Sequence, residues 1–420
     1  MTDPVMFTKD ARVSRAVAEV KRTCAGRVFS DVVDAAGHQY VDVVMEGGGV
    51  LGIALTGYTY ALEQAGIRFL GIGGTSAGSI NALVLAALGT PAEAKSEKLL
   101  AELAAMPMAA FIDGDSDARD FSEAILEKAR MSKLLWKAGQ IVDNLKEDLG
   151  LNPGKAFFDW LTAVLRRGGI RTTADLQAKL STMPDGLRLR QGVRDGRPLS
   201  QSESCGRLGM IAADITTETK VEFPRMAKLY WADPDSVNPA CFARASMSIP
   251  IFFHPFTVED CPQGPAAKAA WHDEAGYDGE LPKRALFIDG GIMSNFPINL
   301  FHEPFQVPTA PTFGAKIGID RGKPADISKP AQLMGAIFDA ARHTLDYDFI
   351  MQNPDYRQLV TMIDTGEHNW LNFSMEDGDK VDLFARGAEA ACGFLCSFNW
   401  ERYKEVRRDL AAAFKATVGQ

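Results

Sequence analysis

Gly74-Thr75-Ser76-Ala77-Gly78 reads G-x-S-x-G, a spacing suited to an activated serine nucleophile. A tight turn with small flanking residues lifts the hydroxyl out of its surroundings and leaves room for a strained backbone and an incoming acyl group. The same serine could instead cap the following helix, since its oxygen accepts well from free helix N–H groups. A second cluster lies upstream, Gly47-Gly48-Gly49-Val50-Leu51-Gly52. Its glycines allow positive φ and close backbone approach to a ligand, and amides at a helix start face developing negative charge. These letters also spell G-x-G-x-x-G, but a dinucleotide site needs an acidic residue about 20 positions on, at the end of the next strand. That strand ends in Gly73-Gly74-Thr75-Ser76, without a carboxylate. A purely structural glycine turn is the other reading. A third cluster, Phe287-Ile288-Asp289-Gly290-Gly291 followed by Asn295-Phe296-Pro297, ends an apolar run in a carboxylate. Asp and Gly also favour a plain turn, which leaves its role open on local grounds.

The elements that must position these clusters are legible around them. Tyr40 to Met45 is a β-branched run entering the first glycine cluster, and Gly52 to Gln64 has helical character. Ile67 to Ile72 is a short apolar strand, Gly73 to Gly78 a turn, and Ser79 to Leu88 an alanine-rich helix. This βαβα beginning predicts an α/β fold with a parallel sheet covered by helices. From Asp113 to Leu180 the chain turns to charged amphipathic segments broken at Asn152-Pro153-Gly154 and Gly168-Gly169, an inserted helical region. Strand-like runs return at Leu208 to Ala213, Lys220 to Phe223, Ala285 to Ile288 and Thr312 to Ile319, with a polar loop expected at Asp260 to Pro282. Val381 to Phe414 reads as one or two amphipathic helices.

Bulk properties narrow the function classes. The chain has 420 residues, 46% hydrophobic and 24% charged, which suits a folded globular protein with a sizeable core. Its net charge of −9 argues against nucleic-acid partners and against strong whole-molecule attraction to anionic membranes. No apolar run is long enough to span a bilayer. Met1 to Gly26 carries Asp3 and Asp10 and lacks the apolar core of an export signal, so a cytoplasmic location, peripheral to membranes at most, is expected. Signal-independent secretion stays open. The six cysteines form no CxxC pair and the histidines show no zinc spacing, so no metal is expected.

The glycine loop only one helix and one strand before the serine, its Glu46-Gly-Gly-Gly start, and Asp289-Gly290-Gly291 with Asn295-x-Pro297 together resemble the patatin family of lipid acyl hydrolases. Met210 to Thr217, Ala243-Arg244-Ala245-Ser246-Met247-Ser248-Ile249-Pro250, Val360 to Asp364 and Asn372 to Leu395 extend the likeness, which runs from about Tyr40 to Leu395. Leu51 stands where that family's loop commonly carries arginine.

The resemblance implies a three-layer fold with a mostly parallel central sheet, helices on both faces and the helical insertion. It divides the chain into an N-terminal extension (1–39), a catalytic core (40–305) with the insertion at about 113–180, and a C-terminal part of the same domain (306–420). It further implies Ser76 as nucleophile, Asp289 as general base without histidine, and Gly48, Gly49 and Val50 amides as oxyanion donors. Gly47, Gly52, Gly74, Gly78, Gly290 and Gly291 support the turns, and no cofactor is required.

The expected substrate is a fatty-acid ester at a lipid or membrane surface. A catalytically silent lipid-binding protein and an esterase of small soluble esters are the alternatives. An apolar stripe, Leu126, Leu134, Leu135 and Trp136, is either a lid over a membrane or an ordinary surface helix. Arg166, Arg167, Arg171, Arg188, Arg190, Arg194 and Arg197 either gather around phosphate or form a solvated face interleaved with acids.

Overall fold

Val41, Val43, Val44 and Met45 are all fully buried, so the strand that carries them has no solvent face. Such a strand belongs at the centre of a sheet covered on both sides. That is its place in the computed structural model, which describes residues 3–114, 149–318 and 346–418 together with isolated positions between 324 and 344.

The strands that position the site are β1 (Gln39–Met45), β2 (Ile67–Thr75), β3 (Arg207–Asp214), β4 (Thr219–Phe223), β5 (Phe256–Val258), β6 (Ala285–Asp289), β7 (Thr312–Ile317) and β8 (Val360–Ile363). Along the main path of the sheet they run β8-β7-β1-β2-β3-β6-β5, and β4 pairs with β3 as a hairpin. The five strands from β8 to β3 are mutually parallel, while β6 and β5 turn antiparallel. The expected α/β architecture, a mostly parallel sheet with helices on both faces, is therefore the observed one.

The helices used below are α1 (Ala11–Thr23), α2 (Gly52–Gln64), α3 (Ala77–Ala87), α4 (Lys155–Arg167), α5 (Ala240–Ser246), α6 (Pro265–Ala275), α7 (Asp377–Ser397) and α8 (Trp400–Val418). The tail is thus two helices, broken at Phe398-Asn399. The N-terminal extension packs on the same core. Phe7 meets Phe384 edge to face, and Arg12 reaches Asp382 at 2.6 Å.

One expectation is corrected. The Asp260 to Pro282 segment is not all loop, because α6 forms within it, opened by Pro265 in its first turn, closed by left-handed Gly276 and anchored by fully buried Trp271. Within the insertion, Lys155–Arg167 and Thr173–Leu180 are helices as expected. The Leu126 to Trp136 stripe lies outside the described residues.

The sharpest packing constraint joins α2 to α7. A Cβ on Gly57 would sit 1.9 Å from the Phe384 carbonyl oxygen, and one on Gly387 would sit 1.9 Å from the Ala54 carbonyl oxygen. Neither backbone can yield, because α2 leads from the glycine loop and α7 covers it along its length. Gly57→Ala is expected to destabilise the fold by roughly 3 kcal/mol, as overpacking against rigid backbone does. A urea midpoint unchanged from wild type would refute this.

Candidate active site

Ser76 joins β2 to α3 with φ 51° and ψ −117°, a conformation that non-glycine residues rarely adopt. The neighbours make it the compact solution. A Cβ on Gly78 would lie 2.1 Å from the Met45 carbonyl oxygen, and one on Gly74 would lie 2.5 Å from the Gly78 backbone, so only glycines let the turn close. Strain of this kind persists where the surroundings over-determine it, and it clusters at functional sites. Here Ser246 does the holding, since its Oγ accepts the Ser76 N–H at 2.9 Å and donates to the Ile211 carbonyl at 2.5 Å. Although Ser76 occupies the N-cap position of α3, its side chain makes no capping hydrogen bond. The helix-cap reading therefore loses its support.

Asp289 is the last residue of β6, and it reaches Ser76 through the sheet. Thr75 pairs with Ile211, and Asp289 pairs with the next residue, Ala212, both along the edge of β3 opposite β4. β2 and the antiparallel β6 thus meet end to end along one edge of β3, which places Ser76 and Asp289 side by side where the two strands end. Asp289 is 7% exposed; its N–H donates to the Ser248 carbonyl at 2.8 Å, and its Oδ1 accepts from Gly291 N at 2.7 Å. Gly290 lets the turn pass over β3, since a Cβ there would lie 2.0 Å from the Ile211 carbonyl oxygen. The Ser76 hydroxyl itself makes no hydrogen bond among the described residues.

The glycine loop presses on the serine from the side of β1. A Cβ built on Gly47 would come within 3.1 Å of Ser76 Cβ. Asn295 clasps this loop, accepting the Gly47 N–H at 3.0 Å and donating Nδ2 to the Gly47 carbonyl at 3.1 Å. Gly49, at φ 56°, runs so close to Trp370 that a Cβ would overlap its carbonyl oxygen. That carbonyl accepts the Val50 N–H at 3.0 Å. Of the three expected oxyanion donors, Val50 is therefore already engaged, while the Gly48 and Gly49 amides have no protein partner among the described residues. Gly52 opens α2 directly against Ala77. Leu51 is buried in the core, and the loop is anchored through Asn295 and Trp370 instead of an arginine.

A pocket opens beside the serine, walled by Val50, Ala77, Ile80, Met106 and Met108 on one side and by Phe111, Phe157, Met247, Ile249 and Phe373 on the other. Ser76 is the only polar side chain among the described residues lining it. Such a wall suits a hydrocarbon chain and excludes a nucleotide phosphate. No histidine lines this pocket among the described residues. His302 is turned to the Tyr356 hydroxyl at 2.7 Å, and burial, then nearby Arg407, pushes its pKa down to about 4. Of the arginines named above, Arg167 pairs with Glu102, Arg197 with Glu203, and Arg190 bonds Gln39 and the Ser30 carbonyl.

Sequence reasoning quoted Ser246 and Asn295 within motifs without giving them a role. Trp370 carried no local signal, as its backbone carbonyl does the work.

The chain is similar to several known proteins. The uncharacterized protein YqhO of Bacillus subtilis (strain 168) is 28% identical over 358 residues, covering 85% of this chain and 98% of that protein. Among solved structures, VipD from Legionella pneumophila has a TM-score of 0.39 at 15% identity, with 88% of this chain and 70% of that one covered. A chain of the heterodimeric ExoU–SpcU complex from the type III secretion system of Pseudomonas aeruginosa has a TM-score of 0.35 at 16% identity, with 87% and 52% covered. The family model for patatin-like phospholipases matches residues 43–302. That span is well over half of the sequence and contains every cluster described above, so the chain belongs to the patatin-like phospholipase family.

Proposed function

We propose that this protein hydrolyses carboxylic esters of fatty acids, in the manner of a phospholipase A or lysophospholipase, through an acyl-Ser76 intermediate with Asp289 as the base. The observation that carries this reading is a strained serine that, among the described residues, makes no hydroxyl hydrogen bond and is the sole polar side chain on an apolar pocket. An aspartate of ordinary acidity is a weak base for an alcohol, so proton removal must be coupled to stabilisation of the charge that forms. The acyl chain enters the pocket and Ser76 Oγ attacks the ester carbonyl carbon while its proton passes to the Asp289 carboxylate. Charge collects on the former carbonyl oxygen, where the Gly48 and Gly49 amides receive it. Collapse breaks the ester C–O bond, and the proton on Asp289 goes to the departing alkoxide. Water then repeats the sequence, losing its proton to Asp289, and releases a free fatty acid and Ser76. Catalytic hydrogen bonds often tighten only when substrate binds.

The test is product analysis by mass spectrometry after incubation with mixed phospholipids and acylglycerols. Fatty acid and the matching lysolipid or alcohol should accumulate with wild type and not with Ser76→Ala. Absence of any lipid product, with turnover of short soluble esters only, would move the assignment to a small-ester esterase.

A further inference from the structure

The turn at 294–296 touches each part of the proposed machinery. The Ser294 carbonyl accepts the Thr75 hydroxyl at 2.8 Å, one residue before the nucleophile. Asn295 holds Gly47 by two hydrogen bonds, and its Nδ2 also lies 3.3 Å from Glu46 Oε1. Glu46 in turn pairs with Lys316 at 2.9 Å, both nearly out of solvent. The turn itself is held from outside the matched family segment. Asp346, in the helical stretch 346–352, is 5% exposed; its Oδ1 accepts the Ser294 hydroxyl and its Oδ2 accepts the Phe296 N–H, both at 2.6 Å.

We infer that Asp346 is a positioning residue for the Ser76 reaction. By gripping Ser294 and Phe296 it fixes Asn295 between them, and Asn295 keeps Gly47, and with it the Gly48 and Gly49 amides, against the nucleophile. The short bonds are those of a carboxylate to strong donors, and no neutral side chain of the same shape can accept both. This inference rests on the reading of Ser76 as nucleophile.

The experiment compares full-length wild type, Asp346→Asn, Ser294→Ala, Val20→Ala and Ser76→Ala by p-nitrophenyl butyrate kinetics and thermal unfolding. Val20 is fully buried in α1, which packs on α7, so its truncation lowers stability without touching the turn. Asp346→Asn keeps an acceptor for one donor and loses the other. Its kcat should fall roughly 10–100-fold, the cost of small misplacements at a reacting centre, with KM within about twofold of wild type. Ser294→Ala should show a smaller loss in kcat of the same character, and it carries the test where Asp346→Asn does not fold. Val20→Ala should lower Tm and leave kcat unchanged. Wild-type kcat in the folded Asp346 and Ser294 variants, or an equal loss of kcat in Val20→Ala, overturns the positioning role. With Ser76→Ala inactive, that outcome leaves the nucleophile reading standing; turnover by Ser76→Ala removes both.

Discussion

Replacing Ser76 by alanine should lower kcat for ester hydrolysis by about 10⁵–10⁶-fold, the scale seen when a nucleophile acting within a catalytic unit is removed. At about 1.4 kcal/mol per decade this is roughly 7–8 kcal/mol of transition-state stabilisation. The fold should not register the change. Alanine at φ 51° bears the same Cβ strain as serine, the Ser76 N–H keeps its bond to Ser246, and the lost hydroxyl had no hydrogen bond among the described residues. A structural serine would show the reverse pattern, with lost stability and retained activity. The measurement is p-nitrophenyl ester turnover beside circular dichroism and thermal unfolding of the same preparation. Turnover near the wild-type rate by folded Ser76→Ala would end the nucleophile assignment and return Ser76 to a packing role.

What could be read in the sequence divides along the range of the contacts involved. The serine turn was legible because its requirements are local, namely a strand, small residues on either side and a helix. The Asp289 turn was legible only through its order relative to the two upstream clusters, since Asp-Gly-Gly by itself is an ordinary turn. Contacts across the chain were not legible. Asp346 stands 52 positions from the Ser294 it binds, and the Val50 amide is closed by a carbonyl at residue 370. No spacing rule encodes either. The α6 helix was missed for a different reason. Pro265 and Gly276 bracket it with proper start and stop residues, but its polar outer face resembles a loop when Trp271, its one fully buried side chain, is not weighted.

The elements also explain why Ser76 and Asp289 sit in one frame though far apart in sequence. They end two strands that abut along one edge of β3, and α5 with the residues after it grips both. Ser246 takes the Ser76 amide, and the Ser248 carbonyl takes the amide of Asp289. Arg244, nearly buried, donates to the Ser248 hydroxyl and to the Pro153 and His254 carbonyls, tying this segment to the start of α4. Burial lowers its pKa to about 10, which leaves it charged at neutral pH. A cation held out of water in this way fixes carbonyls firmly, because leaving its donors unpaired would be costly.

Asp289→Asn isolates what the base itself contributes. An asparagine Oδ1 can still accept the Gly291 N–H, and the backbone bond to Ser248 is untouched, so the turn should survive. The variant loses only the ability to take a proton. The expected loss in kcat is about 10³–10⁴-fold, comparable with neutralising the aspartate of a histidine-containing triad. It should be smaller than the Ser76→Ala loss, because the nucleophile, the pocket and the Gly48 and Gly49 amides remain. The complementary variant, His254→Gln with His302→Gln, should stay within about threefold of wild type, since neither ring carries a proton in this scheme. His302 is the clearer case, as its contact with Tyr356 and its pKa near 4 leave it a weak base directed elsewhere. The two variants are measured on the same ester at neutral pH. Near-wild-type turnover by Asp289→Asn, paired with a hundredfold loss in the double histidine variant, would replace the Ser-Asp dyad with a histidine-dependent mechanism. The predicted opposite pattern would support Asp289 as the acceptor of the Ser76 proton.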